Sequence, residues 1–352
     1  MHASVGQRVV IDALGKTPMD AIREHARLVE QPPPDPAELG PADVIVEVAS
    51  CAVGWVDLIM AAGQYQHVPQ PPYTPGLEYA GTVRWAGPEV EDANVTVGAR
   101  VLVDPFQAGP RSSGAYRGFG GFATYAVAPA GAIHAIPGAL TFDQACNLLG
   151  NYETAYHCLI ARGRLAAGET VLVHGASGSV GLAAVHVAKL VGATVIATGR
   201  NPDKLAIVKA QGADHVIATT NLRDDVKALT GGKGVDVVYD GVGGQVSVDS
   251  LRCVRFGARF LIVGWAATPG QVNQLPTNLI MMKGLDVLGC PTVISTVNDP
   301  SIRHARLAQV LAWANAGQLV PLVSRAFPLS EFATALEAKW RGDYVGGIVV
   351  TP

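Results

Sequence analysis

Three glycines separated by small residues form the segment best suited to chemistry. Gly175, Gly178 and Gly181 follow the apolar run VLVH, where a strand is expected to turn into a helix. Backbone N–H groups in such a loop, with the positive end of the helix behind them, bind the pyrophosphate of a dinucleotide. Glycines also occur at tight turns that bind nothing, so the surrounding pattern matters. The loop residues expected at a cofactor are Gly175, Ala176, Ser177, Gly178, Ser179, Val180 and Gly181.

Two cations follow at the end of the next predicted strand, where the choice between NAD and NADP is made. The segment ATGRNPDK places Arg200 at the turn and Lys204 about one helical turn later, where an NAD site carries an acidic residue. A guanidinium there stacks on adenine and pairs with the 2′-phosphate, and the lysine adds a point charge. The alternative is that both are solvated surface cations. The pair favours NADPH as the cofactor.

The pattern around the loop is that of a parallel sheet covered by helices. After about residue 146, apolar strands such as TVLVHG and VDVVYD alternate with helical segments such as SVGLAAVHVAKLVG. This alternation predicts a doubly wound Rossmann sheet, an α/β fold. Before that point, short β-rich runs such as DVIVEVASCAV predict a mostly antiparallel β domain. The expected domains are residues 1–145, a cofactor-binding domain at 146–290, and a C-terminal return to the first domain at 291–352.

Composition argues against several classes of function. The 352 residues have a formal net charge of −3, and no run of lysine and arginine is interleaved with aromatic residues, so no nucleic-acid partner is expected. No apolar stretch reaches the roughly 18 residues of a membrane span, and the N-terminus lacks a secretory pattern. The five cysteines are scattered without a CxxC motif, which favours a reducing compartment. A cytoplasmic protein without a membrane partner is expected.

Several motifs together resemble the medium-chain dehydrogenase/reductase superfamily, and within it the zinc-free quinone oxidoreductase group. They are GLEYAGTV (76–83), NYETAYHCL (151–159), the glycine loop and GVDVVYDGVGG (234–244), in the family's order along nearly the whole chain. The resemblance implies a GroES-like, mostly β catalytic domain beside the Rossmann domain. It also implies a homodimer, because GLDVLGC (284–290) resembles the edge strand through which relatives dimerise.

Two residues differ from the zinc ligands of related enzymes. Zinc-dependent relatives carry a cysteine near the stretch that is VGWVD here and a histidine in the stretch that is GLE here. Cys51 is displaced from the first position, and Leu77 has no ligating atom. These departures imply a protein without a metal, in which zinc-dependent alcohol oxidation lacks its Lewis acid.

The reaction that remains is hydride transfer from NADPH to an acceptor that is already electrophilic. Such small-molecule acceptors are a quinone or the β-carbon of an α,β-unsaturated carbonyl, and the hydride chemistry belongs to the cofactor. The group's motif places a tyrosine beside the nicotinamide, and AAGQYQ supplies Tyr65. Its hydroxyl could hydrogen-bond the forming enolate or quinol oxygen, or donate a proton. The alternative is an aromatic side chain packed at the rim of a cleft.

Residues expected in the substrate pocket depart from the family pattern. Gly54 stands where quinone oxidoreductases usually have asparagine, while Ile59 and Ala61 stand where some have tyrosine and arginine. With Tyr65, and with Trp55 as one wall, they predict a roomier and less polar pocket that favours a bulky apolar enone. Trp55 could equally lie in the domain core.

Further cofactor contacts are expected on both sides of the glycine loop. Asn151 and Thr154 match the family's stretch near the nicotinamide, although at a helix start they could be capping residues. Gly241, Val242 and Gly264 lie near the carboxyl ends of predicted strands, where open α/β sheets bind ligands. Backbone contacts with the cofactor are expected there.

Two polar residues at strand ends have roles that the sequence leaves open. Asp240 either orients the loop that follows it or simply ends its strand. His174 precedes the first glycine of the loop and is either a structural or a catalytic residue.

Two other functions stay open. An enoyl-thioester reductase would need a cationic landing site for its long substrate, which the sequence does not reveal. A protein that binds NADPH as a sensor, without turnover, would keep the cofactor loop, and the loss of polar pocket residues is consistent with it.

Overall fold

The structure is a computed structural model that describes residues 4–112, 114–268 and 271–352. It divides the chain into two units. The first unit extends to Gly150 and resumes at Ala314–Pro352, and the second is Asn151–Trp313. Residues 291–313, expected in the C-terminal return, therefore belong to the second unit.

Strands occur in both units, and most of the helices lie in the second. The strands are β1 (Gly6–Ile11), β2 (Ala26–Gln31), β3 (Asp43–Ala52), β4 (Tyr79–Ala86), β5 (Arg100–Val103), β6 (Tyr125–Pro129), β7 (Ile133–Ala135), β8 (Thr170–Val173), β9 (Thr194–Gly199), β10 (His215–Ala218), β11 (Val235–Asp240), β12 (Val254–Ile262), β13 (Asp286–Gly289), β14 (Val323–Pro328) and β15 (Gly347–Thr351). The helices are α1 (Pro18–Asp20), α2 (Trp55–Ala61), α3 (Phe142–Ala145), α4 (Leu149–Tyr156), α5 (Ser179–Val191), α6 (Pro202–Ala210), α7 (Leu222–Leu229), α8 (Gln245–Ser250), α9 (Thr277–Lys283), α10 (Thr292–Asn298), α11 (Ser301–Asn315) and α12 (Phe332–Arg341). A π-helical segment, His157–Arg162, continues α4. Among the described residues, no helix is both long enough and apolar enough to span a membrane.

The main sheet of the first unit has the strand order β14-β15-β3-β4-β5-β7, with β6 also paired to β3, and β1 and β2 form a separate two-stranded sheet. Adjacent strands of this main sheet run antiparallel, except β14 and β15, which run parallel. The alternating apolar residues of β3 and β4, such as Val46 and Val83, face a core that also contains Leu58 of α2 and Leu336 of α12. This core fixes both helices against the sheet.

The second unit has a parallel sheet with the order β10-β9-β8-β11-β12-β13. This is the strand order of a doubly wound dinucleotide-binding fold, so the predicted α/β fold is confirmed. Val171, Leu172 and Val173 of β8 are all fully buried, because helices cover both faces of the sheet. The carboxyl ends of the strands lie along one edge of the sheet, and Gly175, Arg200, Gly241 and Gly264 follow four of these ends.

Candidate functional site

The glycine loop joins β8 to α5 at the carboxyl edge of the second sheet. Gly175 has a φ of +64°, which other residues rarely adopt, and its carbonyl accepts a hydrogen bond from Gly178 N at 3.0 Å. A Cβ on Gly181 would lie 2.2 Å from the carbonyl oxygen of Gly175, so a side chain there would push the loop away from the helix. The loop is tight and leads directly into the N-terminus of α5, the kind of site that binds a pyrophosphate.

The loop after β11 adjoins the glycine loop, and the loop after β12 adjoins the loop after β11. A Cβ on Gly175 would lie 3.1 Å from Cγ2 of Val242, which follows β11. Gly264, after β12, donates its N–H to the carbonyl of Asp240 at 3.2 Å, and a Cβ on Gly264 would be 3.3 Å from the carbonyl oxygen of Gly241. The structure therefore brings these four predicted backbone contacts together.

Asp240 orients the loop that follows β11. Its side chain is buried, and Oδ1 accepts the N–H groups of Val242 at 2.9 Å and Gly243 at 3.0 Å. The hydroxyl of Ser247 donates to Oδ2. Of the two roles that the sequence left open, the structure shows the orienting one.

His174 is fully engaged as a neutral, buried side chain. Nδ1 lies 2.8 Å from the Thr198 hydroxyl, and Nε2 lies 2.7 Å from the Ser250 hydroxyl. Because Ser250 donates its own proton to the carbonyl of Val246, Nε2 must donate to Ser250 and Nδ1 must accept from Thr198. Burial lowers the pKa of His174, which keeps this neutral tautomer in place. The residue is structural.

Arg200 and Lys204 follow β9, the strand that pairs with the strand before the glycine loop. Arg200 follows β9, which pairs in parallel with β8, and its side chain is exposed. Lys204 is half-buried in the first turn of α6, a helix that Asn201 caps through hydrogen bonds from the second and third helical N–H groups at 2.9 and 3.2 Å. The first turn of α6 thus carries Lys204 next to the acidic residue Asp203.

Asn151 and Thr154 are half-buried on α4 and lie three residues apart, on one face of the helix. Since α4 begins at Leu149, neither residue occupies the N-cap position. The capping role considered for them does not apply.

A buried carboxylate organises the start of α2 in the first unit. Asp57 accepts the N–H groups of Gly54 at 2.9 Å and Gly76 at 3.0 Å, and burial raises its pKa to about 6. Lys339 of α12 is half-buried, and burial lowers its pKa to about 8 against the charges of Asp57 and Glu78. Sequence reasoning missed Asp57, although an acid three residues after the N-cap of a helix is a recognisable capping signal.

Gly54 is required by this arrangement. A Cβ at Gly54 would lie 2.7 Å from Oδ2 of Asp57. A larger residue would therefore displace the carboxylate, so the glycine serves the packing around Asp57 as well as any substrate space.

Trp55, the first residue of α2, stacks on Trp340 of α12 with ring centroids 5.2 Å apart and an interplanar angle of 5°. Both rings are half-buried and pack on the core of the first unit. Ile59 is also half-buried, whereas Ala61 is fully buried in that core and has no part in a pocket. Sequence reasoning missed Trp340, because only the tertiary fold brings it to Trp55.

Tyr65 lies in the turn after α2 and is half-buried. Its ring meets that of His67 edge to face, with centroids 6.0 Å apart. Burial and the charges of Arg111 and Arg117 lower the pKa of His67, so this neighbour is a neutral imidazole at physiological pH. The aromatic neighbour of Tyr65 is thus an uncharged histidine ring.

Cys51 and Leu77, which were compared with the zinc-ligand positions of related enzymes, are packed in the interior. Cys51 is fully buried, and a Cβ on Gly76 or Gly121 would lie 2.8 or 2.7 Å from its sulfur. Burial raises its pKa, which keeps the thiol protonated. Leu77 is buried as well. Within the described part of the chain, no three His, Cys, Asp or Glu side chains come together as a metal site would require.

Comparison with known proteins places the chain among oxidoreductases. Residues 40–138 match the alcohol dehydrogenase GroES-like domain, and residues 179–305 match the zinc-binding dehydrogenase family. A quinone oxidoreductase-like protein 2 homologue of Nematostella vectensis is 34% identical, over 89% of this chain and 82% of its own. The quinone oxidoreductase of Lama guanicoe is 32% identical, over 87% of this chain and 88% of its own. A mycobacterial structure complexed with NADPH has a TM-score of 0.80 and 26% identity, over 99% of this chain and 100% of its own.

A Rossmann sheet with a tight glycine loop, carried in one chain with a GroES-like unit, defines a nicotinamide-dependent oxidoreductase. Within that class, the chain belongs to the quinone oxidoreductase group of the medium-chain dehydrogenase/reductase superfamily. The resemblance found in the sequence is confirmed.

Proposed function

We propose that the protein transfers hydride from NADPH to a quinone or to the activated C=C bond of an α,β-unsaturated carbonyl, without a metal. The observation that carries the choice of cofactor is the pair Arg200 and Lys204 at the carboxyl end of β9, where an NAD site has an acid. The NADPH complex of the mycobacterial relative agrees with this choice.

The choice of acceptor rests on the side chains available and on the relatives. Leu77 cannot polarise a carbonyl through a metal, so the acceptor must already be electrophilic. The curated relatives include quinone oxidoreductases, which supports a quinone. The stacked pair of Trp55 and Trp340 offers a large apolar surface next to Ile59, which supports a bulky enone.

Each group of residues has a separate task in this proposal. NADPH, when bound, supplies the hydride. The N–H groups at the start of α5 bind the pyrophosphate, Arg200 pairs with the 2′-phosphate, and Asp240 keeps the loop after β11 in its binding conformation. Asn151 and Thr154 contact the nicotinamide end. The hydroxyl of Tyr65 hydrogen-bonds the acceptor oxygen as negative charge develops there, or gives it a proton.

The test is the loss of NADPH absorbance with purified protein against paired panels of quinones and enones, with NADH in parallel. Turnover with NADPH on either panel, and far slower turnover with NADH, is the expected result. Tight NADPH binding without oxidation on either panel would instead identify a sensor. Turnover confined to enoyl thioesters would identify the third candidate.

The homodimer and the cytoplasmic location expected from the sequence stay predictions.

A further inference from the structure

The helix α4 carries its two proposed nicotinamide contacts on one side and two buried anchors on the other. Successive residues of an α-helix point about 100° apart, so Asn151 and Thr154 share one face, called here the contact face. Tyr152 and Glu153, which stand between them in the chain, lie on the opposite face. The burial pattern agrees, because the first pair is half-buried and the second pair is only 2% and 1% exposed. The orientation of the contact face therefore depends on what the two anchors bind.

Glu153 fastens α4 to α11. Its carboxylate accepts hydrogen bonds from Arg303 at 2.9 and 2.7 Å and from Nε of Arg306 at 2.9 Å. None of the proposed cofactor contacts lies on α11. The cluster around Glu153 thus holds α4 in the second unit without linking it to the glycine loop.

Tyr152 links α4 to the helix that follows the glycine loop. Its hydroxyl oxygen lies 2.8 Å from Nδ1 of His186 on α5, and the two rings stack with centroids 6.0 Å apart and an interplanar angle of 23°. His186 lies two turns after Ser179, the first residue of α5, which is about 10 Å along the helix axis. One hydrogen bond thus joins the helix proposed to bind the pyrophosphate to the helix proposed to contact the nicotinamide.

The direction of this hydrogen bond follows from the charge state of the imidazole. Burial lowers the pKa of His186, and a hydrogen bond with the side chain of Gln211 opposes this in part. A neighbour that raises the pKa of an imidazole accepts from the ring, so the amide oxygen of Gln211 takes the one N–H of the neutral form. Nδ1 is left to accept from the hydroxyl of Tyr152. Burial raises the pKa of Tyr152, so the phenol keeps the proton that it donates.

This bond restricts how α4 can move against α5. A buried hydroxyl that loses its acceptor costs free energy, so α4 cannot turn or slide along α5 without a penalty. The pyrophosphate and the nicotinamide of a dinucleotide are separated by only one ribose. The relative placement of the two helices therefore decides whether one cofactor molecule can reach both.

We propose that Tyr152 and His186 are positioning residues, whose hydrogen bond fixes α4 relative to α5 and so holds the contact face where the nicotinamide ring binds. The inference rests on the nicotinamide contacts of the proposed function. Its effect is confined to one end of the cofactor, because the proposed contacts of the pyrophosphate and the 2′-phosphate lie at the start of α5 and after β9.

The test compares NADPH with 2′-phospho-ADP-ribose, which has the same phosphates and lacks the nicotinamide ring. Titration calorimetry measures the Kd of each for the full chain. Tyr152→Phe keeps the ring and removes the hydroxyl, so the Kd for NADPH is expected to rise about three- to tenfold, because α4 must now be ordered when the cofactor binds. The Kd for 2′-phospho-ADP-ribose should change less than about twofold, since its proposed contacts do not involve α4. A rise of both Kd values by the same factor, or of neither, would overturn the proposal.

The matched control is Tyr156→Phe, the same substitution on the same helix, at a residue whose ring contacts Trp313 with centroids 5.9 Å apart. It should leave both Kd values unchanged. His186→Phe removes the acceptor at a half-buried residue and is expected to reproduce Tyr152→Phe, which decides the question if Tyr152→Phe does not fold. His186→Asn keeps an acceptor oxygen near the position of Nδ1 and should retain most of the affinity for NADPH.

The double variant Tyr152→Phe with His186→Phe should bind NADPH no more weakly than either single variant, because all three lack the same hydrogen bond. Additive losses would contradict the role of that bond. None of these measurements needs an electron acceptor. A wild-type protein that prefers NADPH to 2′-phospho-ADP-ribose but reduces no quinone or enone would contradict the proposed reaction and leave the comparison of variants valid. Equal affinity of the wild type for the two ligands would remove the nicotinamide contacts of α4 and overturn this inference with them.

Discussion

The carboxyl group of Asp57 couples the stability of the first unit to pH. Burial raises its pKa from 3.8 to about 6, although the N–H groups of Gly76 and Gly54 and the charge of Arg111 oppose this. Between these two pH values the native state keeps a proton that the unfolded chain releases, so stability falls as the pH rises through the window. The loss is about 2–3 kcal/mol once the window is passed.

Asp57→Asn is expected to abolish this slope, as measured by urea unfolding at pH 4 and pH 6. The amide keeps one acceptor oxygen and loses one of the two N–H bonds, so the variant is less stable by about 1 kcal/mol where Asp57 is protonated. Asp12→Asn, at an exposed ion pair with Arg27, is the control and should keep the slope. A slope that survives in Asp57→Asn would assign the proton to another group.

Arg200→Ala tests the choice of cofactor at one exposed side chain. We expect the Kd for NADPH to rise about 10–100-fold, because a charge-assisted pair with the 2′-phosphate is lost. The Kd for NADH should rise far less, since NADH lacks that phosphate and loses only the stacking on adenine. Fluorescence titration measures both, with Lys209→Ala of α6 as an exposed cation whose loss should affect neither. An equal loss for both cofactors would contradict the role of Arg200.

Tyr65→Phe tests the source of the hydrogen bond or proton. The phenyl ring keeps the contact with His67, so only the hydroxyl is removed. We expect kcat to fall about 10–100-fold with an unchanged Kd for NADPH. The control is Tyr125→Phe, a buried residue of β6 whose hydroxyl bonds the carbonyl of Ser4. An unchanged kcat in Tyr65→Phe would leave water as the proton donor.

At the scale of elements, the stacked rings of Trp55 and Trp340 join α2 to α12. Trp340→Ala is expected to destabilise the protein by about 2 kcal/mol and to raise the KM of a bicyclic quinone about fivefold more than that of a monocyclic one. The reason is that Trp55 loses the ring that holds it in place. Trp340→Phe should retain most of both properties.

The control for this prediction is Trp85→Ala, which removes a half-buried tryptophan of β4 from a separate small cluster. It should lower stability without a change in the KM ratio. An unchanged KM ratio in Trp340→Ala would mean that the stacked pair does not border the substrate.

The elements of the second unit could be predicted because local signals agree with one another. β8 is apolar on both faces, Gly175 ends it, and a helix with small residues follows. The contact between Trp55 and Trp340 has no local signal, since it depends on the packing of α12 against α2. The same is true of the cluster around Glu153, whose arginines lie far along the chain.

At the scale of the whole molecule, the boundary between the second unit and the C-terminal return could not be located from the sequence pattern. The parallel strands end with β13, which suggested a boundary near residue 290. The structure instead keeps α10 and most of α11 in the second unit. Its buried ion pairs from Glu153 to Arg303 and Arg306 explain this, because they fasten α11 to α4. Such pairs cannot be recognised before the fold is known.

The outer edge of β13 is the surface that suits the homodimer expected from the family resemblance. This strand is the last in its sheet, and no strand of the described residues pairs with its outer edge. The preceding helix α9 exposes Met281 and Met282, which are 71% and 69% exposed. An open strand edge beside exposed apolar side chains favours pairing with a second copy.

Replacing both methionines by glutamate places like charges on each copy at such an interface, so Met281→Glu with Met282→Glu is expected to convert a dimer into a monomer. Light scattering during size-exclusion chromatography measures the mass of each species. Val97→Glu, at a residue of the first unit that is 68% exposed, adds a charge elsewhere and should leave the dimer intact. A wild-type monomer would disprove the dimer itself, whereas a dimer that persists in the double variant would place the interface away from α9.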